Sequence, residues 1–506
     1  MNVVLSILHN APICKSRTMR IGFEFLFIGL LIVRKTFCTE PCKPKIAIVG
    51  AGIGGASASH FLTELFVKHL EIDIYEVDKI GGRLATIAVG KNEYEAGGSI
   101  IHSRNRYMND FLQLLGMERR PFMENQRFGI WNGDAFVFEE SNSEIISLLK
   151  LFYRYGFDPL RLQRHVNSVL ENFENIYELQ DHGKAFENVT GLMFAINKDF
   201  PEMLQVSTKQ YLLNLGFSSK LIDELVETTI VVNYGQNTDI HGFVGCVSVA
   251  GAGANLWAVK GGNKEIPEHL IYRNGKINLI PSQVKKIRCI SQQNVSVQYE
   301  IIYGNGTLMS NFYDIVIIAT PLTYDQKYPI SFEGFPEQFK FKGDYQVTMA
   351  TFVEGNTNPQ HFGLEESLDG ILSCNPNKTI INSISRLFPV QGSAENISRV
   401  WKIFSKEVLK SHLLNDMFLQ VNQVKEVRWK AYPRYSTNIR HDKFKLHDFL
   451  YHVNAIEWVA SAMEMSAIGG RNVANLAFND YRKKCLLSKQ NDFDRSIPQT
   501  TCSSEL

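Results

Sequence analysis

Three glycines, Gly50, Gly52 and Gly55, stand in the spacing G-x-G-x-x-G directly after the apolar run Ile46-Ala47-Ile48-Val49 and ahead of a helical pattern reaching about Val67. Strand, tight turn and helix in that order suit a pyrophosphate. The first glycine permits the turn, the second lets backbone approach the phosphates, the third allows close helix–strand packing, and the helix N-terminus offers N–H groups to negative charge. Gly54 adds one more position without a side chain. A second strand-like run, Ile72-Asp73-Ile74-Tyr75, ends in Glu76 about twenty residues past the last glycine, where a carboxylate accepts hydrogen bonds from an unphosphorylated ribose. Without a ligand, the same residues read as a structural glycine turn and a solvated acid.

The next residues favour the ligand. Gly81-Gly82-Arg83-Leu84-Ala85-Thr86 follows Glu76 closely, and Tyr94-Glu95-Ala96-Gly97-Gly98-Ser99 comes shortly after. The first resembles the G-G-R-x-x-T extension of flavin-dependent amine oxidases and phytoene desaturases. The second resembles the segment of that group that passes beside the isoalloxazine ring. The resemblance implies noncovalent FAD, with Gly82 at the diphosphate, Arg83 neutralising phosphate charge, and Gly97, Gly98 and Ser99 near the ring. Ile280-Pro281-Ser282-Gln283-Val284 is similar to the short strand that meets adenine, and Phe312 through Pro321, with Thr320 near its end, to the strand that returns to the sheet. Trp458 through Glu464 leads into a helical stretch toward Ala477. In the superfamily such a helix aims its N-terminus, here Met463 and Glu464, at flavin N1 and C2=O. The Gly469-Gly470 pair weakens the helical signal there.

These elements imply an α/β chain with a two-dinucleotide, amine-oxidase-like FAD-binding fold: a discontinuous Rossmann-type domain over 41–110, 251–330 and 441–484, and an α+β substrate domain over 111–250 and 331–440. In the latter, helical patterns run from Ser143 through Phe152 and from Leu160 through Phe173, and Thr379-Ile380-Ile381 is strand-like. Residues 485–506 form a tail. Five hundred and six residues with 44% apolar content can bury a core of this size. Fifty-three basic against fifty-two acidic residues leave a net charge of +1, so no global field selects nucleic acid.

Lys15, Arg17 and Arg20 precede an apolar run from Ile21 to Val33, which reads as a secretory signal within residues 1–40, or alternatively as an uncleaved anchor. Cysteines fall at 14, 38, 42, 246, 289, 374, 485 and 502; the spacing does not make a zinc site, and no metal is expected. One or two disulfides are compatible with a secretory route. Sequons at Asn188, Asn294, Asn305, Asn377 and Asn396 fit the same route.

A closer resemblance covers about residues 44–480. Lys45 through Gly55, Val89 through Ile101, Val137 through Asn142, Asn233-Tyr234-Gly235-Gln236-Asn237-Thr238-Asp239, Leu256 through Lys264, Phe312 to Leu322 and Ser461 through Ile468 resemble the prenylcysteine oxidase family, its oxidase-like paralogues included. The resemblance implies a lysosomal or secreted FAD-dependent thioether oxidase. It would act on farnesyl- and geranylgeranylcysteine with O2 and water to give a prenyl aldehyde, cysteine and hydrogen peroxide. It also implies a long apolar tunnel with a polar end, and a lipoprotein or a membrane as a further partner. The resemblance names no catalytic side chain. His102, Glu464 and Asn233 are candidates for the polar end, each equally readable as a structural hydrogen-bonding group. A flavin amine oxidase remains an alternative, although no cysteine between Cys374 and Cys485 could attach a flavin just before the last helix. So does a flavin- or lipid-binding protein without turnover; a nicotinamide-dependent reductase would call for a second glycine fingerprint.

Overall fold

The computed structural model describes residues 43–496 apart from 68, 121–125, 254, 293–295, 393–397 and 439–442. The leader over 1–40, Cys14, Cys38, Cys42 and Cys502, and the sequons at Asn294 and Asn396 lie outside the described residues. The chain's helices include α1 (Ile53–Leu65), α2 (Arg106–Leu114), α3 (Glu144–Tyr155), α4 (Asp158–Phe173), α5 (Glu227–Tyr234) and α6 (Met463–Ser496).

The glycine turn belongs to a six-stranded sheet in the order Ile277–Ile280, Glu71–Tyr75, Lys45–Val49, Ile315–Ile318, Leu450–His452, Lys445–His447. Its first five strands run parallel, and the last pairs antiparallel. Ile46, Ala47, Ile48 and the whole of Ile315–Ile318 are fully buried, which is why these strands read as unbroken apolar runs rather than alternating ones.

Two expected strands divide. Ile280 ends one strand of this sheet, whereas Val284 begins another, Val284–Gln292, in a four-stranded sheet with Ser296–Tyr303, Met309–Tyr313 and Ser331–Glu333. Pro281, with no N–H for a ladder, marks the break. The run from Phe312 to Pro321 also splits between the two sheets, around Asp314, whose carboxylate accepts from the Lys45 N–H at 2.9 Å.

A third sheet of seven strands has the order Phe418–Pro433, Tyr345–Thr357, Val400–Ser405, Ile381–Arg386, Gly370–Ser373, Phe128–Trp131, Phe136–Glu139. The final helix outruns its expected end near Ala477. Its glycine pair is a packing device, because a Cβ on Gly470 would lie 3.0 Å from the Ala58 N and the Gly54 O of α1, and one on Gly469 would lie 2.8 Å from the Val453 O. A helix can approach α1 this closely only with no side chain of its own at the crossing.

Candidate functional site

The turn after Val49 is built by backbone. Gly50 adopts φ +107°, a left-handed conformation that favours glycine, and its N–H donates to the Tyr75 O at 2.8 Å. A Cβ on Gly55 would lie 2.0 Å from the Gly50 O, so the third glycine is required by packing alone. Gly52 differs. The nearest atom to a Cβ there is the Gly81 O at 3.8 Å, and Gly52 pairs with Gly81 as an isolated parallel bridge. Gly52, Gly81 and Gly82 therefore form a side-chain-free surface at the start of α1, a helix with no side-chain cap and no acid in its first turn. Thr320 lies against the same turn, its Cγ2 2.8 Å from the Cβ position of Gly50. Open backbone at an uncapped helix N-terminus fits a dinucleotide's diphosphate.

Glu76 stands at the edge of this cradle. One oxygen accepts the Ala51 N–H at 2.8 Å and the other the Asp78 N–H at 2.9 Å. Each carboxylate oxygen keeps a lone pair for a ribose hydroxyl. The Glu76 N–H in turn donates to the Ile280 O at 3.1 Å, which brings the junction leading to Val284 alongside. Val284 itself is buried in its own sheet.

The second glycine segment lies against the first motif's extension. The Gly98 N–H donates to the Arg83 O at 3.1 Å, and a Cβ on Gly97 would sit 1.8 Å from that oxygen. Leu84 Cδ2 and Met463 Cε come within 2.9 and 3.9 Å of a Cβ on Gly98, so the N-terminus of α6 meets this segment. Ser99 follows, half-buried.

Four of the expected site residues have partners within the protein itself. The Arg83 guanidinium pairs with Glu457 and donates to the Ala431 O at 2.9 Å and Ser461 Oγ at 3.3 Å. Glu457 is fully buried and needs that cation; Tyr345 Oη and Asn454 Nδ2 complete its shell at 2.6 and 2.8 Å. Glu464 caps α2, accepting the Tyr107 and Met108 N–H groups at 2.8 and 3.0 Å and Tyr177 Oη–H at 2.8 Å. Burial pushes its carboxyl up to about 7. Asn233 on α5 ties its amide to Ser248, at 3.0 Å to the carbonyl. His102 holds a turn, its Nδ1 accepting the Arg104 N–H at 3.2 Å. His102, Asn233 and Glu464 thus serve three separate parts of the scaffold.

Residues the motifs did not show come from the seven-stranded sheet. Trp429 Nε1 donates to the Ala96 O at 3.0 Å, which lays one face of that sheet against Gly97. Thr348 is paired directly opposite Trp429 and shares its face. Thr348 Oγ1 and Asn382 Oδ1 are buried and lack a protein partner; Thr348 Oγ1 and the Asn382 Nδ2 lie 3.3 and 3.4 Å from a Cβ position on Gly235. Buried polar atoms of this kind call for a partner that the chain does not supply. Further along the face, Lys402 is pushed down to about 8 by burial, and its Nζ reaches the Glu95 O at 3.4 Å. Burial also pushes the Glu95 carboxyl up to about 7. Strand pairing between residues about eighty apart creates this face, so local spacing could not reveal it.

Comparison with known proteins agrees with this geometry. An NAD(P)-binding Rossmann-like domain profile matches residues 48–115, and the prenylcysteine lyase profile matches residues 138–490. Prenylcysteine oxidase 1 of Mus musculus is 38% identical over 476 residues, covering 90% of this chain and 94% of the relative. That of Homo sapiens is 40% identical over 451 residues, covering 86% and 89%. Prenylcysteine oxidase 1-like of Bos taurus is 37% identical over 470 residues, covering 90% and 94%. Among solved structures, a double mutant of putrescine oxidase superposes with a TM-score of 0.53 at 13% identity, over 86% of this chain and 99% of that one. A candidate protoporphyrinogen oxidase from Exiguobacterium sp. superposes with a TM-score of 0.55, also at 13% identity, over 86% and 99%. These last two share the fold. The identity across nearly the full length of the curated relatives, together with the matched profile, places this chain in the prenylcysteine lyase family.

Proposed function

We propose that this chain is an FAD-dependent thioether oxidase that cleaves S-prenyl cysteines. The observation that carries the reading is the meeting of two surfaces: a side-chain-free dinucleotide cradle at Gly52, Gly81 and Gly82, and the Gly97–Gly98 segment covered by the Trp429 and Thr348 face of the large sheet. Bound FAD would supply a two-electron acceptor that O2 reoxidises. The backbone cradle would hold its diphosphate, Glu76 would receive a ribose hydroxyl, and the covered face would orient the substrate and limit water. The described cysteines support noncovalent attachment, since Cys246, Cys289 and Cys374 are buried free thiols in other elements and Cys485 is disulfide-bonded.

Loss of hydride from the allylic C1 leaves a cation delocalised over sulfur and the double bond. Water adds to C1, and the resulting hemithioacetal collapses to aldehyde and cysteine thiol. With one O2 and one water consumed, the third product is hydrogen peroxide. Thr348 and Asn382 supply polar groups for the cysteinyl end, and binding geometry contributes much of the rate. We place the enzyme in the secretory pathway, most naturally the lysosome. Supporting this are the basic-then-apolar leader, the exposed sequons at Asn188, Asn305 and Asn377, and the disulfide at Cys485.

The test is release of hydrogen peroxide and free cysteine from farnesylcysteine, with benzylamine in parallel. Stoichiometric peroxide and cysteine from the thioether alone is expected. Peroxide from the amine alone would move the chain to the amine oxidases, and silence toward both with flavin bound would make it a binding protein.

A further inference from the structure

Helix α3 has the sequence Glu144-Ile145-Ile146-Ser147-Leu148-Leu149-Lys150-Leu151-Phe152-Tyr153-Arg154-Tyr155. Its inner side is conventional, with Ser147, Leu151 and Tyr155 buried. Its outer side is not. Ile145 is 70% exposed, Leu149 61% and Tyr153 93%, and Ile146 and Phe152 lie beside them at about half exposure. At about 100° per residue these five project in one arc of about 120°. Phe157, 64% exposed in the connection to α4, extends the patch, its ring 4.9 Å from that of Phe152. Soluble surfaces scatter single apolar residues, but a contiguous stripe of this kind marks an interaction site.

The charges around the stripe select the occupant. Lys150, exposed, lies at the edge of the arc, and Arg164 is exposed one helix further on. The arc itself contains no acid. Glu144 projects from the far side of the helix, and Asp158 is neutralised by Arg161 at 2.7 Å. Arg154 is paired with Glu224 at 2.5 Å, which fixes the helix on the body of the protein. An apolar helix face that carries aromatic rings and has Lys150 at its edge complements the boundary between anionic headgroups and acyl chains.

We propose that the outer face of α3 docks the protein on an anionic lipid bilayer, the helix lying in the interface with Ile145, Leu149, Phe152, Tyr153 and Phe157 inserted. No described helix is long and apolar enough to span a membrane, and docking of this kind needs none. The proposal is independent of the oxidase reading, since it rests on exposure and charge alone.

The experiment is cosedimentation of the purified full protein with vesicles of phosphatidylserine and phosphatidylcholine, against vesicles of phosphatidylcholine only. Wild type should sediment with the anionic vesicles, and a Leu149→Glu/Phe152→Glu variant should lose at least about tenfold in binding, with unchanged melting because both side chains are at the surface. Lys150→Glu should weaken binding to the anionic vesicles by about fivefold and leave neutral vesicles unaffected. Equal sedimentation of wild type and the double variant overturns the proposal, as does failure of the wild type to bind. A concentration-dependent dimer that the double variant abolishes, without vesicle binding, would assign the face to a second copy and equally overturn it.

Discussion

The glycine cradle and the large mixed sheet both contribute to the candidate site, and they are specified in opposite ways. The cradle is backbone: its ligand contacts are N–H groups and open space, so the sequence records them as residues that lack a side chain at fixed intervals. The sheet face is side chains: Thr348, Lys402 and Trp429 come from three strands and meet only through long-range register. A backbone site tolerates no change of residue type and leaves a short motif. A side-chain site is assembled at a distance and leaves none.

The largest expected effects separate two kinds of glycine within the cradle. Gly52→Val should give a folded protein without yellow absorbance, because the new side chain enters space that no described side chain occupies. Gly55→Ala should fail earlier, at folding, because its Cβ would lie 2.0 Å from the Gly50 O. Far-UV circular dichroism and the flavin spectrum on both variants check this. Full flavin retention in Gly52→Val would show that the diphosphate does not rest on that surface.

Next comes the bracket between the two regions. Arg83→Ala leaves the buried Glu457 carboxylate without its cation and should destabilise the protein by about 3–5 kcal/mol, seen in denaturant unfolding. The motif containing Arg83 was legible, and its role was not. The G-G-R pattern suggested phosphate, but the side chain reaches the fully buried Glu457 from a distant part of the chain. Glu464 repeats the lesson, since its place in the first turn of α6 gave no sign that α2 would present two N–H groups to it. What the sequence shows well is local geometry: strand, turn, helix and the second glycine segment. It shows poorly where a long polar side chain ends, because that depends on elements hundreds of residues away.

A smaller effect should appear in the pH dependence of stability. Burial raises the carboxyls of Glu464 and Glu95 to about 7 from an ordinary value of 4.5. A carboxyl raised on folding holds its proton more tightly in the folded chain, so its contribution is complete below about 4.5 and is lost as pH climbs through about 7. Each group changes stability by up to about 1.4 kcal/mol per pH unit inside that window. Melting should therefore be higher at pH 5 than at pH 7.5. Glu464→Gln should narrow the gap, and an unchanged gap would show that this cap does not titrate there.

The smallest effect is the one that tests the illegible region. Thr348 Oγ1 is buried without a protein partner, so two accounts of it predict opposite things. If the hydroxyl receives the cysteinyl end of the substrate, Thr348→Val removes a hydrogen bond of about 1 kcal/mol, and KM for farnesylcysteine should rise about fivefold with kcat little changed. Thr348→Ser should restore KM. If the hydroxyl only fills space, Val relieves an unsatisfied polar group, and the variant should melt higher while KM stays put. Steady-state kinetics beside thermal melting on the same two variants distinguish them. A raised KM that serine rescues would place substrate on the face that strand register, rather than any motif, brings to the flavin side.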